Sequence, residues 1–144
     1  MAVKYLDVCR LGTTSEYHLS SCSPNLQRLI REAIRRVPKW LDFAVTCGHR
    51  NQLDQDKAYR DGKSTKQWPN SKHNTLPSRA VDIRPASPFN AEDWNDRLRF
   101  ARLLGFIESV AIDLGIPIRL GMDWDGDGRS IDERFVDLPH IEEA

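Results

Sequence analysis

The 144-residue chain has no apolar run approaching the ~20 residues needed to span a bilayer, which argues against membrane insertion. Its first residues, Met1-Ala2-Val3-Lys4-Tyr5-Leu6-Asp7, lack the apolar core of a secretory signal, so synthesis in the cytoplasm is expected, with any export by another route. Cysteine is scarce. Cys9, Cys22 and Cys47 are odd in number and show no CxxC spacing, which excludes both a disulfide framework and a zinc ribbon. A Cys9–Cys22 bridge stays open, although a cytosolic chain normally keeps its thiols reduced. Cys47 reads as a small buried residue in a strand. There is no internal repeat, low-complexity tract or long linker, and the length fits one domain spanning 1–144. Net charge is also missing: 21 Lys and Arg balance 21 Asp and Glu, which argues against a dedicated nucleic-acid binder, whose affinity would come mostly from phosphate contacts.

What is present belongs to a globular protein, with 40% hydrophobic and 29% charged residues, enough for a real core. The charge is unevenly spread. Residues 1–72 carry thirteen basic and seven acidic side chains, and residues 73–144 carry eight and fourteen. Most of the basic excess reads as the solvated face of a helix, and it also suits a polyanionic surface. Ser23-Pro24 is a helix start, a hydroxyl cap followed by proline in the first turn. Leu26, Leu29, Ile30, Ala33, Ile34 and Val37 then recur at helical spacing, with Arg28, Arg31, Arg35 and Arg36 off that stripe and Pro38 ending it.

Phe43-Ala44-Val45-Thr46-Cys47 reads as a short buried strand closed by Gly48, followed by a short helix over 52–59 and a turn at Asp61-Gly62. Residues 64–78 are polar and loop-like. Ala80-Val81-Asp82-Ile83 reads as a strand stopped by Pro85. The longest helix is expected over 90–114, with Trp94, Leu98, Ala101, Leu104 (or Ile107) and Ala111 on one side and Gly115 at its end. Ile116-Pro117-Ile118-Arg119-Leu120 is expected as a strand leading into an acidic loop over 123–133, and a last short strand holds His140-Ile141-Glu142. Residues 1–22 read as an irregular segment packed on the rest. The expected class is α+β, a small antiparallel sheet packed with helices.

His73, Asp82 and His140 are candidate zinc ligands. Zinc accepts imidazole nitrogen and carboxylate oxygen, and a hydrolytic zinc takes three protein ligands with a fourth position left open. His73 and Asp82 lie nine positions apart, too far for one helix face, so a loop must carry the first and a strand the second. Pro139 forbids an ordinary helix between Asp137 and His140, whose relation is that of a turn entering a strand. Asp137 is the candidate proton carrier. Taken singly, each residue has an ordinary reading: a surface histidine, a turn-capping aspartate, an exposed histidine near the C-terminus. No two of the three ligands share a diagnostic short spacing. Asp123-Trp124-Asp125-Gly126-Asp127-Gly128 opens like a calcium loop, so Asp123, Asp125 and Asp127 are candidate Ca2+ ligands. Its twelfth position, where a bidentate Glu belongs, is Arg134; Asp132 and Glu133 are possible substitutes, and a plain acidic turn accounts for the run equally well.

Four pieces together resemble the zinc D-alanyl-D-alanine carboxypeptidase / L-alanyl-D-glutamate endopeptidase family, which includes VanX- and VanY-like peptidases and phage endolysins. They are Ser23-Pro24-Asn25-Leu26; Asp42 through Gly48-His49-Arg50 with Gln55 after it; Ser71-Lys72-His73 through Ala80-Val81-Asp82; and Gly121-Met122-Asp123-Trp124 followed by Asp137-Leu138-Pro139-His140-Ile141-Glu142. The resemblance runs from about Leu19 to Glu142. It implies zinc held by His73, Asp82 and His140 in a cleft, Asp137 as general base and acid, and Arg50 hydrogen-bonded to the substrate near the scissile carbonyl. Ser71 is expected in the cleft or behind the ligands, its other reading being a turn-forming serine. Trp124 is expected as a cleft wall or as a core aromatic, and Trp68 as packing. The chain departs from the family in a longer segment between His73 and Asp82, with Leu76-Pro77-Ser78-Arg79 where Thr-Gly is common. His49 stands where an aromatic is frequent and is expected to be structural. Asp at 137, not Glu, leans the specificity toward the L-alanyl-D-glutamate branch.

The function the resemblance implies is a peptidoglycan endopeptidase cutting the stem peptide as a phage lysis enzyme. It would be a monomer that waits in the host cytoplasm and reaches the wall with the help of a holin. A D-alanyl-D-alanine carboxypeptidase is the alternative within the fold, and a non-catalytic wall-binding module the alternative outside it. A His-Asn nuclease, prompted by His49-Arg50-Asn51 and His73-Asn74, is disfavoured by the balanced charge.

Overall fold

Ser23 opens the first long helix as its sequence requires. Its hydroxyl accepts from the Leu26 amide, Pro24 occupies the first turn, and the chain is helical over Pro24–Arg36. Leu26, Leu29 and Ile30 on the inner face are fully buried, each worth about 1.5–3 kcal/mol. The computed structural model describes residues 8–144; the part of the expected irregular N-terminus that falls on residues 1–7 lies outside them. The remainder of that segment is irregular only in part. Thr13–Ser20 is a helix, α1, which packs on the first strand and on Pro24–Arg36, α2. Only Ser15 and Leu19 of α1 are buried, and no side chain caps it, so it carries neither of the two patterns by which a helix is read from sequence.

The strands are β1 (Phe43–Cys47), β2 (Ala80–Pro85), β3 (Ile118–Leu120) and β4 (His140–Glu143). They form one antiparallel sheet in the order β1-β2-β4-β3. Between β1 and β2 runs α3 (Gln52–Arg60), capped by the Asn51 side chain. Strand alternation divides the sheet into two faces. Phe43, Val45, Val81, Ile83, Leu120 and Ile141 point into the core, while Asp82, Arg119, His140 and Glu142 are carried on the other face. The core is closed by α2 and by α4 (Arg97–Leu114), which packs on α2, β2 and β3.

The longest helix begins later than expected. Ala91–Asn95 is a separate 3₁₀ turn with an Asn90/Asp93 capping box, and Asp96 then caps α4 by accepting from the Arg99 amide. The break resets the helical phase. The buried face is Phe100, Leu103, Leu104, Ile107, Val110 and Ala111, whereas Leu98 and Ala101 face solvent and Trp94 is half-exposed against Phe89 and Phe100.

A second correction concerns Cys47. A bulge between Val45 and Cys47 sets Cys47 opposite Asp82, so parity changes along β1 and the thiol lies near the functional face, only half-buried. No Cys9–Cys22 bridge forms; the Cys9 thiol donates to Val37 O and the Cys22 thiol to Ala80 O.

Candidate active site

Asp82 and His140 are cross-strand partners on β2 and β4, so the sheet register alone brings them together. His73 arrives from a different element, a 3₁₀ turn over Lys72–Asn74. Ser71 caps that turn, its Oγ accepting from the His73 amide at 3.2 Å and its own amide donating to Asn74 Oδ1 at 3.0 Å. Ser71 therefore does what its turn-forming reading requires and also borders the cleft.

The two imidazoles meet at one oxygen. Asp82 Oδ1 lies 3.2 Å from His73 Nε2 and 3.2 Å from His140 Nδ1, and the rings stand edge to face with centroids 5.1 Å apart. Each outer nitrogen is already committed: His73 Nδ1 to Gly48 O at 2.7 Å, and His140 Nε2 to Glu142 Oε1 at 2.8 Å. A carbonyl or carboxylate oxygen can only accept, so both outer nitrogens carry protons. In the neutral rings the inner nitrogens then turn lone pairs toward a carboxylate. Such an arrangement is repulsive unless positive charge sits among the three atoms.

Titration behaviour expresses the same demand. Burial favours neutral imidazole at His73, yet Asp82 outweighs it and raises the pKa; His140 is raised in the same way by Asp82 and Glu142. Burial would raise Asp82, but the two imidazoles hold its carboxyl well below the usual carboxylate range.

The donor set fits a tetrahedral metal. Ligand atoms about 2.0–2.1 Å from such an ion lie roughly 3.3 Å apart, close to the 3.2 Å observed for both nitrogen–oxygen pairs. A thiol lies close by: Cys47 Sγ falls within 4.8 Å of a ligand atom of each of His73 and Asp82, and is 3.8 Å from His73 Nδ1, the ring nitrogen turned away from Asp82. Sequence reading missed this neighbour because the bulge that delivers it leaves no residue signature.

Asp137 stands beside the cluster, its Oδ2 3.9 Å from His140 Nδ1. Burial, with repulsion from Asp82, pushes it up to about 6. Arg50 reaches in from the end of β1, its Nη2 3.6 Å from Asp82 Oδ2. Its guanidinium is aimed by Gln55, a fully buried amide whose Oε1 accepts from Arg50 Nη1 (3.0 Å) and Asn74 Nδ2 (3.1 Å) and whose Nε2 donates to Lys66 O (2.7 Å). His49 bonds Thr75 O through Nδ1. These groups floor a cleft of about 1170 Å³ whose walls include Trp94, Arg119 and Trp124. Trp124 packs against His140 with ring centroids 5.2 Å apart and donates to Phe135 O.

In the acidic loop, oxygens of Asp123, Asp125 and Asp127 lie within 4.8 Å of one another, as do those of Asp125, Asp132 and Glu133. Asp123 Oδ1 is buried without a hydrogen-bond partner.

An α+β domain whose sheet floors a cleft with two imidazoles, a shared carboxylate and a flanking carboxylate and guanidinium has the build of a small peptidase. Comparison with known proteins gives that class its family. The model of the phage L-alanyl-D-glutamate peptidase family matches residues 8–144, and the chain belongs to this family. It is 32% identical over 125 residues to the L-alanyl-D-glutamate peptidase of Escherichia phage T5, covering 86% of this chain and 88% of that protein. Its structure is similar to that of the Serratia marcescens L-Ala D-Glu endopeptidase ChiX, with a TM-score of 0.68 and 26% sequence identity over 96% of this chain and 92% of the other.

Proposed function

We propose that this protein is a zinc-dependent peptidoglycan endopeptidase that cuts the L-alanyl-D-glutamate bond of the stem peptide and serves as a phage lysis enzyme. The observation that carries the reading is the convergence of His73 Nε2 and His140 Nδ1 on Asp82 Oδ1, with both outer nitrogens already bonded to protein acceptors. Family membership and the phage T5 relative support the bond and the phage role.

His73, Asp82 and His140 would hold the metal, leaving one position for water or substrate. A bound zinc supplies a Lewis acid for the scissile carbonyl and acidifies water. Asp137 takes the proton of the attacking water and delivers it to the leaving amine. Arg50, held by Gln55, donates to the oxygen on which negative charge develops. Ser71 and Trp124 border the path of the peptide. The acidic loop offers calcium, a hard cation, the carboxylates of Asp123, Asp125 and Asp127; the unpartnered Asp123 Oδ1 supports this. The enzyme would act as a monomer on the cell wall after holin-assisted passage from the host cytoplasm.

The test is digestion of purified wall by the zinc-loaded protein, with the new termini identified by mass spectrometry. A new free L-alanine carboxyl is the expected product. Release of D-alanine instead would mark a D-alanyl-D-alanine carboxypeptidase, and wall binding without any cleavage would mark a non-catalytic module.

A further inference from the structure

Among the described residues, Glu142 is a buried carboxylate of the functional face to which the scheme above gives no catalytic step. It lies two residues beyond His140 on β4, on the same side of the strand, and is 8% exposed. One oxygen, Oε1, accepts from His140 Nε2 at 2.8 Å. The other, Oε2, lies 3.1 Å from Lys72 Nζ and 3.4 Å from Arg119 Nη1. Lys72 also donates to Glu143 O, so its ammonium is anchored to β4 at two points. Because Lys72 directly precedes His73, Glu142 joins the turn that carries one imidazole to the strand that carries the other.

We infer that Glu142, clamped by Lys72 and Arg119, is a positioning residue that fixes the orientation and tautomer of His140 and thereby tunes the cation affinity of the site. The inference rests on the metal site proposed above. A carboxylate accepting the outer N–H obliges the proton to stay on Nε2, leaves Nδ1 unprotonated toward Asp82, and makes the imidazole a better donor. It also prevents the ring from flipping, because the flipped ring would face Glu142 with carbon. The clamp matters because an unpaired buried carboxylate is costly and would turn toward water. Both basic partners contact Oε2, so they hold the carboxylate by the oxygen that His140 does not use.

The experiment compares zinc dissociation constants of wild type, Glu142→Ala and Glu142→Gln by competition with a chromophoric chelator, with thermal melts of the three metal-free proteins. Glu142→Ala should bind zinc about 10–100-fold more weakly. Glu142→Gln, whose amide oxygen can still accept from Nε2–H, should recover most of that loss. A purely structural role would shift the metal-free melts and leave the affinities alike. In parallel, NMR of zinc-loaded wild type should give a slowly exchanging His140 Nε2–H signal, a readout that does not depend on any variant folding. Equal zinc affinity in wild type and Glu142→Ala, or the absence of that signal, overturns the inference. Failure of the wild type to bind zinc at all would instead remove the proposed metal site itself.

Discussion

One oxygen organises the candidate site. Asp82 Oδ1 is shared by two imidazole nitrogens at equal distances, and the neighbouring carboxylate of Asp137 is near enough to feel His140 yet 3.9 Å from its nitrogen. Burial and Asp82 make Asp137 a weaker acid than a solvated aspartate, which suits a group that must accept and then release a proton. Asp137→Asn keeps the shape and removes the proton acceptor. It should lower kcat by about 10²–10⁴-fold while zinc content stays at the wild-type level, measured by release of stem-peptide termini alongside metal analysis. A variant that cut wall at the normal rate would exclude Asp137 as the proton carrier. The sequence offered His73, Asp82, His140, Asp137 and Arg50 as candidates through the motifs that carry the family resemblance, and the structure gathers all five around one cleft. Gln55 was visible only as part of such a motif, and the roles of Lys72 and Glu142 were not visible, since a buried hydrogen bond or ion pair leaves no trace in residue order.

Among the secondary-structure elements, geometry is set by features with little sequence signature. The bulge of β1 swings Cys47 toward His73, and two glycines allow close approaches that hold the cleft together. A Cβ on Gly48 would meet His18 O at 2.2 Å, and one on Gly121 would meet Asp137 O at 2.2 Å and His140 Cβ at 2.9 Å. Gly121 thus lets the β3 exit lie flat against the turn that carries both Asp137 and His140; its amide donates to His140 O and its carbonyl accepts from the Asp137 amide. Gly121→Ala should destabilise the fold by about 1–3 kcal/mol and depress activity beyond the effect of stability, because the backbone that must move carries two site residues. Gly105 lies in the interior of α4 with nothing within 4 Å of an added Cβ. Gly105→Ala should therefore stabilise by about 0.5–1 kcal/mol. Melting curves of the pair check both signs. The sequence reading placed Leu104, Ile107 and Ala111 on the buried face of α4 but misjudged its N-terminal part for a related reason: Asp96, a helix cap, interrupts the period that a count through Trp94 and Leu98 takes to be continuous.

For the whole molecule, core and site are separable. The core is built from α2, α4 and the inner face of the sheet, whereas the site occupies the outer face and the turns above it. A chelator should abolish wall cleavage while leaving the far-UV circular dichroism of the protein unchanged. Restoring zinc to about 1,000 times its dissociation constant should add about 4 kcal/mol of stability. For a domain of this size that is a rise in Tm of roughly 13 °C, readable by calorimetry. Unfolding on chelation would mean that the ion is part of the core and that the two are not separable.

The amino-acid order alone determined most of the periodic elements and offered the motif-bearing residues as candidates. Hydrophobic periodicity placed α2, short apolar runs placed the strands, Ser23-Pro24 marked the start of α2 and Gly115 the end of α4, and the stretches around Arg50, His73, Asp82 and His140 carried the family resemblance. The tertiary structure decided what depends on distances between distant segments: the β2–β4 register that pairs Asp82 with His140, the bulge that brings Cys47 near His73, the helix over Thr13–Ser20, and the Glu142–Lys72 link across the site. The division is physical. Helix and strand periods act over a few neighbouring residues and are written into the chain, whereas register, buried ion pairs and close glycine contacts arise only when the whole core fixes where each segment lies.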